Sequence, residues 1–235
     1  MATKKYPCCA HLPMRIALFA LLVLAGCTMN DTKLLQTNDG YELSYDYYPA
    51  EGKTGVILLH QLNSDKDAWE PFATTIQMKH NIPTIAIDLR GHGDSDGDWQ
   101  KFDEEEFRAM TNDVKAASDH LKSKGVTNVI VIGASIGANT ALNYGVDAPE
   151  VRAMALLSPG LDYRGVKIED AARRNKKPIF LVAARDDTYS AESVDALSRL
   201  TKAIVKIYPS GGHGTQLFAT TDLQTQLISW VNGLR

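Results

Sequence analysis

Val126-Thr127-Asn128-Val129-Ile130-Val131-Ile132-Gly133-Ala134-Ser135-Ile136-Gly137-Ala138-Asn139-Thr140-Ala141-Leu142 is the stretch around which the rest of the chain is organised. Its β-branched run, Val129 to Ile132, reads as a buried strand. The run stops at Gly133-Ala134-Ser135-Ile136-Gly137, and small residues then open a helix. G-x-S-x-G between strand and helix is the setting in which a serine is lifted clear of a sheet on a sharp, strained turn. Small flanking residues let strand and helix close together, and the strained backbone falls on the serine itself. The same turn offers the Ser135 hydroxyl as an attacking group and the Ile136 N–H as half of an oxyanion hole. A phosphate-binding turn is the competing reading. No lysine follows Gly137, and the spacing does not match G-x-G-x-x-G, so both nucleotide-binding patterns fail.

Working outward, strands and helices alternate along the chain. Gly40 to Tyr48 alternates apolar and polar residues and predicts a first strand with one solvated side. Val56 to Leu59 and Ile82 to Asp88 predict two more strands, with a helix over Trp69 to His80 between them. Asp103 to Lys124 has helical spacing and an acidic first turn that suits the helix dipole. Gly125 closes that helix. Further strands are expected over Val151–Ser158, Ile179–Ala184 and Ala203–Tyr208, with helices near Ala191–Leu200 and Thr221–Leu234. This order predicts an α/β fold: a doubly wound, mostly parallel sheet of about seven or eight strands with helices on both faces. The charged connection from Pro159 to Lys177 has little apolar material, so it predicts a small excursion over an open site and no large cap.

The chain has 235 residues, 44% of them hydrophobic and 23% charged, with a formal charge of −3, which suits one globular domain. Neither a basic run nor an acidic tail is present, so no nucleic-acid partner is expected. Residues 1–26 read as a secretory signal: Lys4, Lys5 and Arg15 precede the apolar run Ile16 to Leu24. They end in Leu24-Ala25-Gly26-Cys27, which resembles the lipobox of bacterial lipoproteins. That resemblance implies cleavage before Cys27, a lipid on Cys27, and residues 27–38 as a tether to a domain over 39–235. Thr28 in place of Asp leans toward the periplasmic side of the outer membrane. Loss of Lys4, Lys5 and Arg15 would take the charge from −3 to −6. Cys8 and Cys9 would leave with the signal, so the domain would carry no disulfide.

A serine nucleophile needs a base, and six histidines are available. His11 lies in the signal. His80 and His120 sit among polar residues of helices and read as solvated. His60 and His92 follow strands. His213 stands in Pro209-Ser210-Gly211-Gly212-His213-Gly214, a glycine loop after the last strand, from which a side chain can reach back over Ser135.

At this point the chain resembles the α/β-hydrolases. Four features carry the resemblance in order: His60-Gln61-Leu62 after a strand, Asp88-Leu89-Arg90-Gly91-His92-Gly93-Asp94-Ser95, the serine turn, and an acid-then-histidine tail. The resemblance implies a Ser135, His213 and acid triad in that family's chain order. It places the acid at Asp187 in Ala184-Arg185-Asp186-Asp187, with Asp186 turned elsewhere, toward Arg185. It assigns the second oxyanion N–H to Leu62, with Gln61 standing where the family usually has Gly and its own N–H the fallback. His60, His92 and the Arg90 turn would shape loops. The activity implied is hydrolysis of small or medium carboxylic esters, a small-molecule ester substrate being the partner, with no cofactor and no metal. A thioesterase, amidase or peptidase would use the same residues, and a binding lipoprotein on this scaffold is the alternative of another class.

Overall fold

The computed structural model describes Met1 and residues 33–235. The signal segment, Cys27 and the first part of the expected tether lie outside the described residues.

The chain runs β1 (Leu34–Gln36), β2 (Glu42–Tyr48), β3 (Thr54–Leu59), α1 (Glu70–His80) and β4 (Thr84–Ile87). It continues with α2 (Glu104–Arg108), α3 (Thr111–Ser123), β5 (Asn128–Ala134), α4 (Ile136–Gly145) and β6 (Val151–Leu157). A hairpin of β7 (Asp162–Tyr163) and β8 (Val166–Lys167) precedes α5 (Glu169–Arg174), β9 (Ile179–Ala184) and α6 (Thr188–Ser198). The chain closes with β10 (Ile204–Tyr208), α7 (Leu217–Thr220) and α8 (Leu223–Asn232). Eight strands form one sheet in the order β1-β2-β4-β3-β5-β6-β9-β10. β1 and β2 are antiparallel to their neighbours, and the other six strands of the sheet, β4, β3, β5, β6, β9 and β10, run parallel.

Side chains alternate across each central strand, and both faces are covered. Ile57, Leu59, Val129 and Val131 pack on one side with Val114, Leu121, Leu142, Val194 and Leu197 of α3, α4 and α6. Val56, Leu58, Ile130 and Ile132 pack on the other with Phe72, Ile76, Leu223, Leu227 and Val231 of α1 and α8. Two covered faces explain why these strands read as unbroken apolar runs. Between β6 and β9 only the hairpin and α5 intervene, and no large cap is present among the described residues.

Four expectations are corrected. Residues 34–36, expected in the tether, form an edge strand paired with β2, and Leu35 packs on the core. The domain therefore begins before residue 39. Asp39 itself accepts two hydrogen bonds from the buried Arg90 guanidinium, at 2.8 and 3.0 Å, which holds its carboxyl well below the usual range. The helix expected over Asp103 to Lys124 breaks at Ala109 and Met110. Asp103 and Glu106 form a capping box for α2, and three-residue hydrogen bonds tighten the break. After it, Asp113 is buried against Arg90, accepting from the main-chain N–H at 2.9 Å and from Nε at 2.8 Å. α6 starts at Thr188, directly after Asp187, and not near Ala191. His120 is half-buried and not freely solvated: Tyr45 and Tyr47 pack on its ring at 4.9 and 5.2 Å, and its Nε2 is buried without a partner among the described residues.

Candidate active site

The turn at Ser135 is as tight as its glycines required. Ser135 has φ 55° and ψ −119°, outside the ordinary regions for a residue with a Cβ. A Cβ on Gly133 would lie 2.2 Å from the Gly137 carbonyl oxygen, and one on Gly137 would lie 2.6 Å from both the Leu59 and His60 oxygens. Strand β5, helix α4 and the end of β3 thus meet backbone to backbone. Ile136 is the first residue of α4, where N–H groups have no partner within the helix. Leu62 follows β3 on the adjoining loop. Among the described residues, neither the Leu62 nor the Ile136 N–H donates to a protein acceptor.

His213 and Asp187 meet. His213 Nδ1 lies 2.7 Å from Asp187 Oδ2, an N–H donor facing a carboxylate. Asp187 occupies the N-cap position of α6 but makes no side-chain cap, since its carboxylate is turned to the imidazole. Asp186 faces elsewhere, though not toward Arg185. Its carboxylate accepts the Gly211 N–H at 3.0 Å and the Gly212 N–H at 3.3 Å, and these bonds lower its pKa. Arg185 pairs with Asp195. The two adjacent acids divide the work: one holds the ring, and the other holds the loop that carries it.

Ser135 and His213 make no hydrogen bond with each other in this structure, although their surroundings interlock. A Cβ on Gly214 would meet the Ala134 methyl at 3.3 Å, which puts the histidine loop directly on the residue before the serine. Tyr163, on β7, sets its ring at right angles to that of His213, with the ring centres 6.2 Å apart. Its hydroxyl lies 3.0 Å from Ser190 Oγ and donates to the Ser158 carbonyl at 3.3 Å. Burial raises the Tyr163 pKa, opposed by hydrogen bonding to the hydroxyls of Ser190 and Ser135.

Sequence reasoning missed three contributors. Gln61 Nε2 donates to Thr215 Oγ1 at 3.0 Å, and Gln61 Oε1 accepts the Thr215 N–H at 3.4 Å. The residue that departs from the family pattern therefore ties the Leu62 loop to the His213 loop. Ser158, at φ 48°, accepts the Gly214 N–H on its Oγ at 2.9 Å. Tyr163 packs its ring against those of His213 and Tyr189. Only Gln61 left a signal, as a mismatch in an otherwise regular motif.

His60 and His92 hold loops, as expected. The Leu89 N–H donates to His60 Nε2 at 3.0 Å, so the ring proton sits on Nδ1, which donates to the Gln61 carbonyl at 2.8 Å. Burial depresses the His60 pKa from 6.5 to about 4. The unfolded chain therefore binds a proton that the folded one refuses as pH drops from about 6.5 to about 4, and stability falls across that window. The loss should reach about 3 kcal/mol. Urea unfolding at several pH values should show that slope in wild type and a flatter one in His60→Gln, which keeps an acceptor for Leu89 without the titration.

A serine raised between a parallel strand and a helix, at the end of the sheet where the later loops bring an imidazole and its carboxylate, defines the class: the chain has the α/β-hydrolase fold. The family model that matches it is that of the serine aminopeptidases, S33, over residues 50–165, which takes in Leu62 and Ser135 but ends before Asp187 and His213. In sequence it is similar to the sn-1-specific diacylglycerol lipase ABHD11 of Xenopus laevis, with 30% identity over 47% of this chain and 33% of that protein. It is also similar to a probable alcohol acetyltransferase of Cyberlindnera fabianii, 26% identical over 56% of this chain and 37% of that one. The matched part spans about a third of the length of these relatives. In structure it is similar to an esterase of Pyrococcus furiosus, with TM-score 0.75, 19% identity, and coverage of 86% of this chain and 90% of the other. An esterase of Exiguobacterium antarcticum superposes with TM-score 0.72 and 15% identity, over 86% and 99% of the two chains.

Proposed function

We propose that the protein is a serine esterase of the cell envelope, cleaving small or medium carboxylic esters through an acyl-enzyme. The observation that carries this reading is the 2.7 Å contact of Asp187 with His213 Nδ1, on the loop packed against the residue before Ser135. With Nδ1–H held by the carboxylate, Nε2 is left with a lone pair to take the serine proton. Ser135 Oγ attacks the ester carbonyl carbon, and the Ile136 and Leu62 N–H groups receive the oxyanion. His213 hands the proton to the departing alkoxide, and water then releases the acid by the same steps. The imidazole is borne by a loop with glycines on both sides, and hydrogen bonds of this kind tighten when substrate binds.

The charged hairpin and α5, in place of an apolar lid, favour short acyl chains. Hydrolysis of p-nitrophenyl acetate or butyrate should exceed that of the palmitate by at least about tenfold in kcat/KM and show a burst of p-nitrophenol equal to the enzyme present. A wild type inert toward every chain length would leave a binding protein on a hydrolase scaffold as the better reading. The esterase and lipase relatives support ester chemistry, while thioesters and amides remain within reach of the same residues.

The lipoprotein reading is supported by the basic, apolar, small-residue order ending at Cys27. A palmitate label should enter the wild-type chain in a bacterial host and be absent from Cys27→Ser, with the labelled form in the outer-membrane fraction. Equal labelling of the two chains would sink it.

A further inference from the structure

The end of the sheet away from Ser135 carries a basic face that the chemistry does not use. β3, β5, β6, β9 and β10 are parallel, and Leu62, Ser135, Asp187 and His213 all follow the C-terminal ends of such strands. At the opposite ends, two adjoining hollows of about 340 and 370 Å³ share Lys176 and Lys177. Arg152 borders the first, and Arg173, Arg199 and Lys202 border the second; no carboxylate side chain lines either.

The cations there are largely unspent. Lys177 Nζ donates to the Gly145 and Ala148 carbonyls at the end of α4, and Arg173 has only a loose 3.9 Å contact with Glu169. Among the described residues, Arg152, Lys176, Arg199 and Lys202 are exposed and take part in no ion pair. Their clustering is not a by-product of composition, because the chain as a whole is acidic, at −3. Next to Lys202, at the start of edge strand β10, Ile204 and Val205 are 55% and 41% exposed. Cations that like charge would scatter are gathered beside exposed aliphatic side chains.

We propose that this face docks on an anionic phospholipid bilayer, the cations meeting headgroup phosphates and Ile204 and Val205 entering the interface. Several Lys and Arg within one Debye length of a negative surface add their attractions, and aliphatic groups at the rim distinguish a bilayer from a purely polar polyanion. Docked this way, the protein turns its catalytic edge away from the lipid toward solutes. The site reading is needed only for that last consequence, since docking itself is read without turnover.

The test is sedimentation of the full-length chain with vesicles of phosphatidylcholine alone, or with a third of it replaced by phosphatidylglycerol. The comparison variant is Arg152→Glu/Lys176→Glu/Arg199→Glu/Lys202→Glu, with circular dichroism and hydrolysis of a soluble ester checking its fold. Both chains carry the same N-terminal segment, so its contribution cancels. Wild type should prefer the anionic vesicles, lose that preference as salt rises, and exceed the variant in it by at least about tenfold. Equal preference in the two chains would overturn the proposal. So would release of wild type by millimolar inorganic phosphate at constant ionic strength, which would mark a small-anion site. If the quadruple variant does not fold, Lys176→Gln/Lys202→Gln replaces it and should lower the preference by a smaller but measurable factor; no change there also counts against docking.

Discussion

Ser135→Ala should lower kcat for a short ester by about 10⁶, and His213→Ala by a similar amount, because the two act as one unit and losing either loses most of what both supply. The double variant should be little worse than either single one. What would survive is the proposed oxyanion hole of the Ile136 and Leu62 N–H groups, which should leave turnover above the uncatalysed rate by about 10³–10⁴. The fold should not suffer. Ser135 Oγ makes no hydrogen bond that the core needs, and alanine inherits the same φ of 55° without added strain. Stopped-flow release of p-nitrophenol together with urea unfolding separates the two effects. A Ser135→Ala variant that still gives a stoichiometric burst would end the assignment of the nucleophile.

Asp187→Asn should cost about 10⁴ in kcat, since a neutral amide no longer fixes the Nδ1–H tautomer or stabilises the imidazolium that forms as serine loses its proton. Asp186→Asn should stay within about tenfold of wild type. Its oxygen can still accept the Gly211 and Gly212 N–H groups at about the present 3.0 and 3.3 Å, so the loop keeps its shape. Measuring kcat and KM for both variants decides between neighbouring acids of which one faces the imidazole and the other the Gly211 and Gly212 N–H groups. A large loss in Asp186→Asn with near-normal turnover in Asp187→Asn would reverse their roles.

The chemistry at stake depends on contacts spread over the chain. The acid stands 26 positions before the histidine it holds, and Gln61 reaches 154 positions to Thr215. The serine turn was legible because small residues on both sides of a serine, between an apolar strand and a helix, form one short pattern. Gly133 and Gly137 are where any side chain would strike backbone, and small residues at both are what a reader of the sequence sees. The central strands were legible for a similar reason, since two covered faces demand an unbroken apolar run. The break at Ala109 and Met110 was not, because helical spacing continues across it, and the Arg90 that Asp113 meets just beyond it lies 23 positions away.

By itself, then, the sequence determined the alternation of strands and helices, the sharp turn at Ser135, and the glycine loop that carries His213. These show in periodicity and in short runs of small residues. Tertiary structure alone decided that Asp186 turns to the Gly211 and Gly212 N–H groups and not toward Arg185, that Gln61 fastens the Leu62 loop to the His213 loop, and that residues 34–36 close the sheet edge. It also gathered Arg152, Lys176, Arg199 and Lys202 at the far end of the sheet. Hydrogen-bond direction and charge clustering depend on which distant backbone arrives alongside, and no local pattern encodes that.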